Sequence, residues 1–156
     1  MPILQTHESG YWDRFPAHLE GLRALGVTDG VGLSLHVLGL PTDDNAPAAL
    51  VFKMPPNFEL PRHAHVCQRF EIVVEGSIQV GDRTLHPGDI MTAEPDEPYG
   101  PHIAGPEGCT TLEVFSTLRG AYVILFDTPD GLEATDFSDP AMVEAVRALT
   151  SPEADA

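Results

Sequence analysis

Residues 61–76 read PRHAHVCQRFEIVVEG, and this stretch decides the fold. His63 and His65 are two positions apart, so their side chains lie on the same face of a β-strand. Two neutral imidazoles that enter the interior of a narrow barrel can bind one divalent metal ion. We therefore predict a short strand here, with both histidines inside an enclosed pocket.

Short β-strands are predicted on both sides of this stretch. Apolar and polar residues alternate in residues 31–40 (VGLSLHVLGL), and similar runs follow along the chain. Glycine and proline residues separate the runs, and Gly81-Asp82 is typical of a hairpin turn. In the strand after the two histidines, we expect one face to pack between the sheet and the elements that cover it. This face carries Phe70, Ile72 and Val74. With no long helical pattern between the strands, we predict an all-β domain over residues 31–128.

Both ends of the chain are predicted to be helical. Residues 1–30 form an N-terminal helical arm in this interpretation, because large apolar side chains recur at spacings of three or four, at Trp12, Phe15, Leu19, Leu22 and Leu25. Residues 129–156 are predicted to hold a C-terminal helix and a tail. Ser138 or Asp139 caps this helix, and a proline occupies its first turn.

Composition and charge restrict the class of protein. The chain has 156 residues, 42% of them hydrophobic, which suits one domain. It carries 24 acidic and 8 basic side chains, so we expect no nucleic-acid partner and no anionic membrane partner. No run of about 18 apolar residues is present, and the first residues lack the pattern of a secretory signal. With two cysteines and no disulfide framework, we expect a cytoplasmic protein.

From Leu33 to Asp127 the chain resembles the cupin superfamily. The first cupin motif is matched by His63, His65 and Gly76. The second motif is matched by its turn and a later proline, at Pro87-Gly88-Asp89 and at Pro95 or Pro98. The resemblance implies a double-stranded β-helix, the cupin jelly-roll barrel. It also implies a divalent transition metal (Fe, Zn, Ni or Mn) and a small organic ligand inside the barrel.

The chain departs from the first cupin motif after the second histidine. Arg69 stands where the family usually has a metal-binding glutamate, and Gln68 precedes it. A glutamate follows at Glu71, two residues further along, so it shares a strand face with Arg69. Either Gln68 or Glu71 is therefore a candidate to complete a metal site.

A second departure concerns the histidine of the second motif. Tyr99 stands at the expected position, and His102 follows three residues later, which is the wrong parity for a regular strand. Gly100-Pro101 lies between them, and a bulge or turn there can direct His102 inward.

Two interpretations follow. In the first, His63, His65 and His102 hold a metal with Glu71 or Gln68, and the chain is a metal-dependent dioxygenase, isomerase or lyase. Glu71 is then a ligand or base, Arg69 orients an anionic substrate, and Tyr99 lines the entrance. In the second, the metal is lost, Arg69 and Glu71 form a buried ion pair, and the chain is a non-catalytic small-molecule binder or sensor. The resemblance further implies a homodimer that pairs along residues 31–40.

Overall fold

The computed structural model describes residues 1–19, 21–22 and 29–142, and β-strands dominate this part of the chain. The first strands are β1 (Asp13–Arg14), β2 (Gly32–Val37), β3 (Ala48–Met54), β4 (Glu59–Leu60), β5 (His63–His65) and β6 (Arg69–Val80). The others are β7 (Arg83–Leu85), β8 (Ile90–Ala93), β9 (His102–Phe115), β10 (Val123–Thr128) and β11 (Gly131–Asp136). A short helix, α1 (Leu118–Tyr122), lies between β9 and β10.

These strands form two sheets in the described part of the chain. The larger has eight strands, with the order β1-β2-β3-β9-β6-β7, and β4 and β8 pair with β9 and β6 respectively. The smaller has three strands in the order β11-β10-β5. The all-β prediction is confirmed, and the strands extend beyond the predicted range of 31–128 at both ends, because β1 and β11 join the sheets.

The long strands β6 and β9 form the centre of the larger sheet. They run antiparallel, and Glu71 faces Glu113 across the pair. Strand β6 continues through Gly76, where its register with β9 shifts. Gly76 has a φ of +75°, and a Cβ there would lie 2.1 Å from the Gly108 carbonyl oxygen. The glycine therefore permits a bulge and a close approach of two strands instead of a turn.

Apolar side chains fill the space between the sheets. One cluster joins the N-terminal segment, α1 and the smaller sheet, and includes Leu19, Leu35, Phe115, Leu118, Ile124 and Phe137. A second cluster lies on the inner face of the larger sheet, and includes Leu33, Phe52, Met54, Val73, Ile78 and Cys109. The expected cover over the opposite face is wrong for Phe70 and Val74, which are 40% and 48% exposed. Ile72, between them, is half-buried, so this face of β6 is only partly covered in the described part of the chain.

The N-terminal helix prediction is wrong for its first part. Residues 13–14 form β1, which runs parallel to β2, and the Leu33 amide donates to the Trp12 carbonyl oxygen at 3.1 Å. Of the described residues that follow, 17–19 and 21–22 have 3₁₀ geometry. Pro16 separates the strand from these turns and removes a donor that a continuous helix needs. Residues 20 and 23–28 lie outside the described part.

The C-terminal helix begins where the sequence predicted. Residues 140–142 are helical, and the Ala141 amide donates to Asp139 Oδ1 at 2.9 Å, so Asp139 is the N-cap. The rest of the predicted helix lies outside the described residues. Among the helices of the described part, none has the length and apolar character needed to cross a membrane.

Candidate metal centre and ligand cavity

Strand β5 carries His63 and His65 into the protein interior. It pairs with β10, where His63 faces Phe126 and His65 faces Ile124. Both histidines are buried, at 2% and 5% exposure, and their ring centroids are 5.4 Å apart. The spacing of two along one strand thus places both imidazoles on the inner side of the smaller sheet.

Both imidazoles are held by backbone carbonyl groups. His63 Nδ1 lies 2.7 Å from the Pro61 carbonyl oxygen, and His65 Nδ1 lies 2.6 Å from that of Gly120. A carbonyl oxygen only accepts hydrogen bonds, so Nδ1 of each ring carries the proton and donates. Each Nε2 therefore keeps its lone pair. The hydrogen bond at Nδ1 fixes the tautomer and the orientation that a metal-binding histidine needs.

Burial keeps these histidines neutral. Desolvation, together with the nearby His102 and Arg69, lowers the pKa of His63 to about 4, although the hydrogen bond to Pro61 opposes the shift. Desolvation, with the nearby Arg69 charge, likewise places the pKa of His65 well below its usual range and that of His102 at about 3. All three rings are therefore uncharged at neutral pH, the form in which imidazole binds metals.

The third histidine reaches the same region from the larger sheet. His102 is the first residue of β9, is 2% exposed, and its ring centroid lies 5.5 Å from that of His63. The turn at Gly100, with a φ of +98°, precedes it and directs the side chain inward in spite of its sequence parity. His102 Nε2 is buried without a hydrogen-bond partner, and the nearest carboxylate oxygen, on Glu71, is 3.9 Å away.

A buried charge cluster lies beside the histidines. Arg69 Nη2 donates to Glu71 Oε2 and lies 3.2 Å from Glu113 Oε2, while its side chain is 1% exposed. Burial alone would lower the pKa of Arg69, but Glu113, Tyr99 and Glu71 outweigh it and raise that pKa. Burial raises the pKa of Glu113 to about 8, although Arg69 opposes the shift.

Glu113 is the site residue that the sequence analysis missed. It lies in the run CTTLEVFST, where Thr111, Glu113 and Phe115 are buried and the residues between them are half-buried. Strand alternation alone therefore contained the signal, since an acidic residue on the buried face of a strand needs a partner. That partner, Arg69, is distant in sequence and becomes visible only through the pairing of β6 with β9.

Two predicted site residues occupy positions other than those expected. Gln68 is exposed and donates from Nε2 to Glu94 Oε2 at 2.9 Å, so its assignment as a metal ligand is wrong. Its side chain points to the opposite side from that of Arg69, as neighbours in an extended chain do. Tyr99 does not line the entrance but is 9% exposed, with its ring 4.5 Å from the Arg69 guanidinium carbon and stacked on His102.

An apolar cavity of about 60 Å³ lies next to the histidines. His63, His65 and Glu113 form its polar corner. Its apolar wall comes mainly from β2, β3 and the segment around β4, through Leu33, Leu35, Leu50, Phe52, Phe58 and Leu60. Arg69 is not among the described side chains that line it.

The donor set suits a divalent transition metal. In a tetrahedral site with metal–nitrogen distances of about 2.0–2.1 Å, the centroids of two bound imidazoles lie about 5 Å apart. The spacings from His63 to His65 and to His102 are 5.4 and 5.5 Å. As the side chains stand, no three His, Cys, Asp or Glu residues of the described part already converge on one ion position. The unpaired Nε2 of His102 and the two anchored imidazoles are nonetheless the neutral nitrogen donors that such an ion prefers.

Comparisons with known proteins identify the fold. No protein-family model and no curated protein matches the chain. An RmlC-like cupin from Ralstonia eutropha JMP134 is similar in structure, with a TM-score of 0.53 at 16% identity over 79% of this chain and 74% of that one. An acetylacetone dioxygenase from Acinetobacter johnsonii has a TM-score of 0.57 at 12% identity over 97% and 94% of the two chains. These similarities show that the chain has a cupin-like fold.

Proposed function

We propose that this cupin binds a divalent transition metal through His63, His65 and His102 and holds a small organic molecule in the adjoining cavity. The observation that carries the proposal is the anchoring of both β5 imidazoles through Nδ1 to carbonyl oxygens. This arrangement leaves Nε2 available on two fixed, neutral rings. Three protein ligands leave coordination positions open, where a bound metal supplies Lewis-acid or redox chemistry.

In this proposal the other buried residues set the environment of the three rings. Arg69 holds Glu71 by an ion pair, so Glu71 supports Arg69 and faces His102 instead of serving as a free ligand. Glu113 lies on the cavity wall and, with its raised pKa, can hold a proton near neutral pH. We propose it as the group that exchanges a proton with the bound molecule. A dioxygenase, isomerase or lyase reaction is compatible with these parts.

The direct test is the metal content of the purified protein, measured by inductively coupled plasma mass spectrometry. We expect about one transition-metal ion per chain and its loss in the His63→Ala, His65→Ala double variant. The matched control is Gln68→Ala, which changes an exposed side chain on the same segment and should leave the metal content unchanged. Metal equally absent from the native chain and the double variant would contradict the proposal.

A second candidate function is a metal-free binding or sensor module. The charge cluster favours it, because Arg69, Glu71 and Glu113 already compensate one another and need no ion. Under this alternative the native chain contains no metal but still binds a molecule in the cavity. Metal analysis and ligand binding on the same sample therefore separate the two functions.

We also propose the homodimer that the resemblance to cupins implies. Residues 31–40 end in Leu38 and Leu40, which are 66% and 72% exposed. Strand β1 pairs with β2 at Leu33 and Ser34, so it already occupies part of the outer edge of this segment. The exposed leucines at its end are the apolar side chains that a second copy would cover.

A further inference from the structure

We propose that the cavity selects a small molecule with a hydrocarbon body and one polar end, of about six non-hydrogen atoms, and rejects polyhydroxylated molecules of the same size. This inference rests on the proposed function, because it names the class of molecule that the cavity beside the three histidines would take. Its basis is the distribution of polar and apolar groups on the cavity wall.

The wall offers almost no hydrogen bonds to the body of a ligand. Leu33 and Leu35 lie two apart on β2, and Leu50 and Phe52 lie two apart on β3, so each pair presents side chains on one face. All four line the cavity, together with Phe58. A hydroxyl group placed against this wall loses its hydrogen bonds to water without replacement, which weakens binding about tenfold or more for each group. The wall therefore favours a ligand whose body is a hydrocarbon chain.

The polar end of the ligand has a defined place. His63, His65 and Glu113 are the polar side chains at the cavity among the described residues. Arg69 does not line the cavity among the described residues; its Nη2 bonds to Glu71 and Glu113, and its guanidinium group lies over the rings of Tyr99 and Phe115. A single hydroxyl or carbonyl group can therefore be recognised at this corner, with or without a metal on the histidines.

The cavity volume limits the size of the ligand. The cavity measures about 60 Å³, and one water molecule needs about 10–15 Å³ of such space, so about four to six non-hydrogen atoms fit. Within that limit each additional methylene group that enters the apolar part should tighten binding about fourfold. Beyond it, a longer chain must displace the wall, and binding should stop improving.

The test is ligand-observed NMR with 1-alkanols from propanol to octanol, performed on metal-free and metal-loaded protein. We expect affinity to rise about fourfold per methylene group up to butanol or pentanol and then to level off or fall. Glycerol has the same number of non-hydrogen atoms as 1-pentanol, and we expect no measurable binding where 1-pentanol saturates. Glycerol binding as tightly as 1-pentanol, or affinity independent of chain length, would overturn the inference.

Two variants locate the binding to this cavity. Phe58→Leu removes volume from the wall at a half-buried position, so the preferred alkanol should lengthen by one or two carbon atoms. The control is Ile78→Val, which removes one methylene group from the neighbouring core but does not line the cavity, and it should leave the preference unchanged. An unchanged preference in Phe58→Leu would contradict the assignment of the site.

The same samples distinguish a failure of the proposed metal centre from a failure of the proposed ligand class. If metal analysis shows no ion while alkanols bind with the expected length dependence, the metal centre is wrong and the ligand class stands. If the metal is present and alkanols do not bind in either form, the ligand class is wrong and the metal centre stands. Melting curves of both variants show whether a loss of binding reflects unfolding.

Discussion

Replacing Glu113 by glutamine should change how stability depends on pH. Burial raises the pKa of Glu113 from its ordinary value of 4.5 to about 8 in the folded chain. Between these two pH values the folded state binds a proton that the unfolded state has released. The contribution of this proton to the free energy of unfolding is therefore complete below pH 4.5 and is lost as the pH rises through 8. Glutamine keeps the size and an acceptor oxygen for Arg69 but does not titrate.

The magnitude follows from the width of the pH window. One proton contributes about 1.4 kcal/mol per pH unit, so between pH 6.5 and 8 the native chain should lose about 2 kcal/mol relative to Glu113→Gln. His63 and His102, with pKa values of about 4 and 3, affect stability only as the pH falls below 6.5. The chosen window therefore isolates Glu113 from the buried histidines.

Urea unfolding at four pH values between 6.5 and 8 measures this difference. A chelator must be present, because a bound metal would add its own stabilisation. Glu75→Gln removes an exposed carboxylate from β6 and should follow the native chain at every pH. If the native and Glu113→Gln free energies of unfolding run parallel across the window, the buried and protonated state of Glu113 is refuted.

Two further predictions concern the anchor of one imidazole and the assembly of the chain. In Gly120→Ala, the added Cβ would lie 2.0 Å from Cys67 Sγ. We therefore expect urea unfolding to show a free energy of unfolding that is about 1–3 kcal/mol lower than that of the native chain. The shift of the Gly120 carbonyl from His65 should also weaken metal binding about 10- to 100-fold in a competition titration, and an unchanged affinity would argue against the anchor. For the dimer, light scattering should give twice the chain mass for the native protein and one chain mass for Leu40→Asp; a native monomer would exclude it.

Strand parity was sufficient to predict much of the fold and part of the candidate site. The alternation in residues 31–40 corresponds to β2, and the spacing of His63 and His65 places both imidazoles on one face of β5, all of which is buried. These features depend on neighbouring residues in one strand. For the same reason the Gly81-Asp82 hairpin between β6 and β7 was predictable, since Gly81 has a φ of +60° and Val80 pairs with Arg83.

The predictions that were wrong or incomplete concern features that depend on contacts between distant segments. Apolar residues at spacings of three or four predicted a helix near Trp12, but the backbone there pairs with β2 instead. Phe70 alternates like a covered residue, yet cover depends on whether another element reaches that face of β6. Glu113 looked like one polar residue in an apolar run until the register of β6 with β9 placed it beside Arg69. Periodicity shows which residues share a face but not what lies opposite them.

The arginine at position 69 changes what a cupin-like site can hold. Where the family usually places a glutamate ligand, this chain has a cation, and two carboxylates are bound to it. At an effective dielectric constant of 20, a guanidinium group and a divalent ion 4 Å apart would repel each other by about 8 kcal/mol, and the ionised carboxylates of Glu71 and Glu113 would offset that repulsion. Neutral imidazoles must then supply the ligand bonds, and the burial that lowers the pKa values of His63 and His102 supplies that neutral form. A bound divalent ion would therefore favour the ionised form of Glu113, and we expect metal binding to release the proton of Glu113.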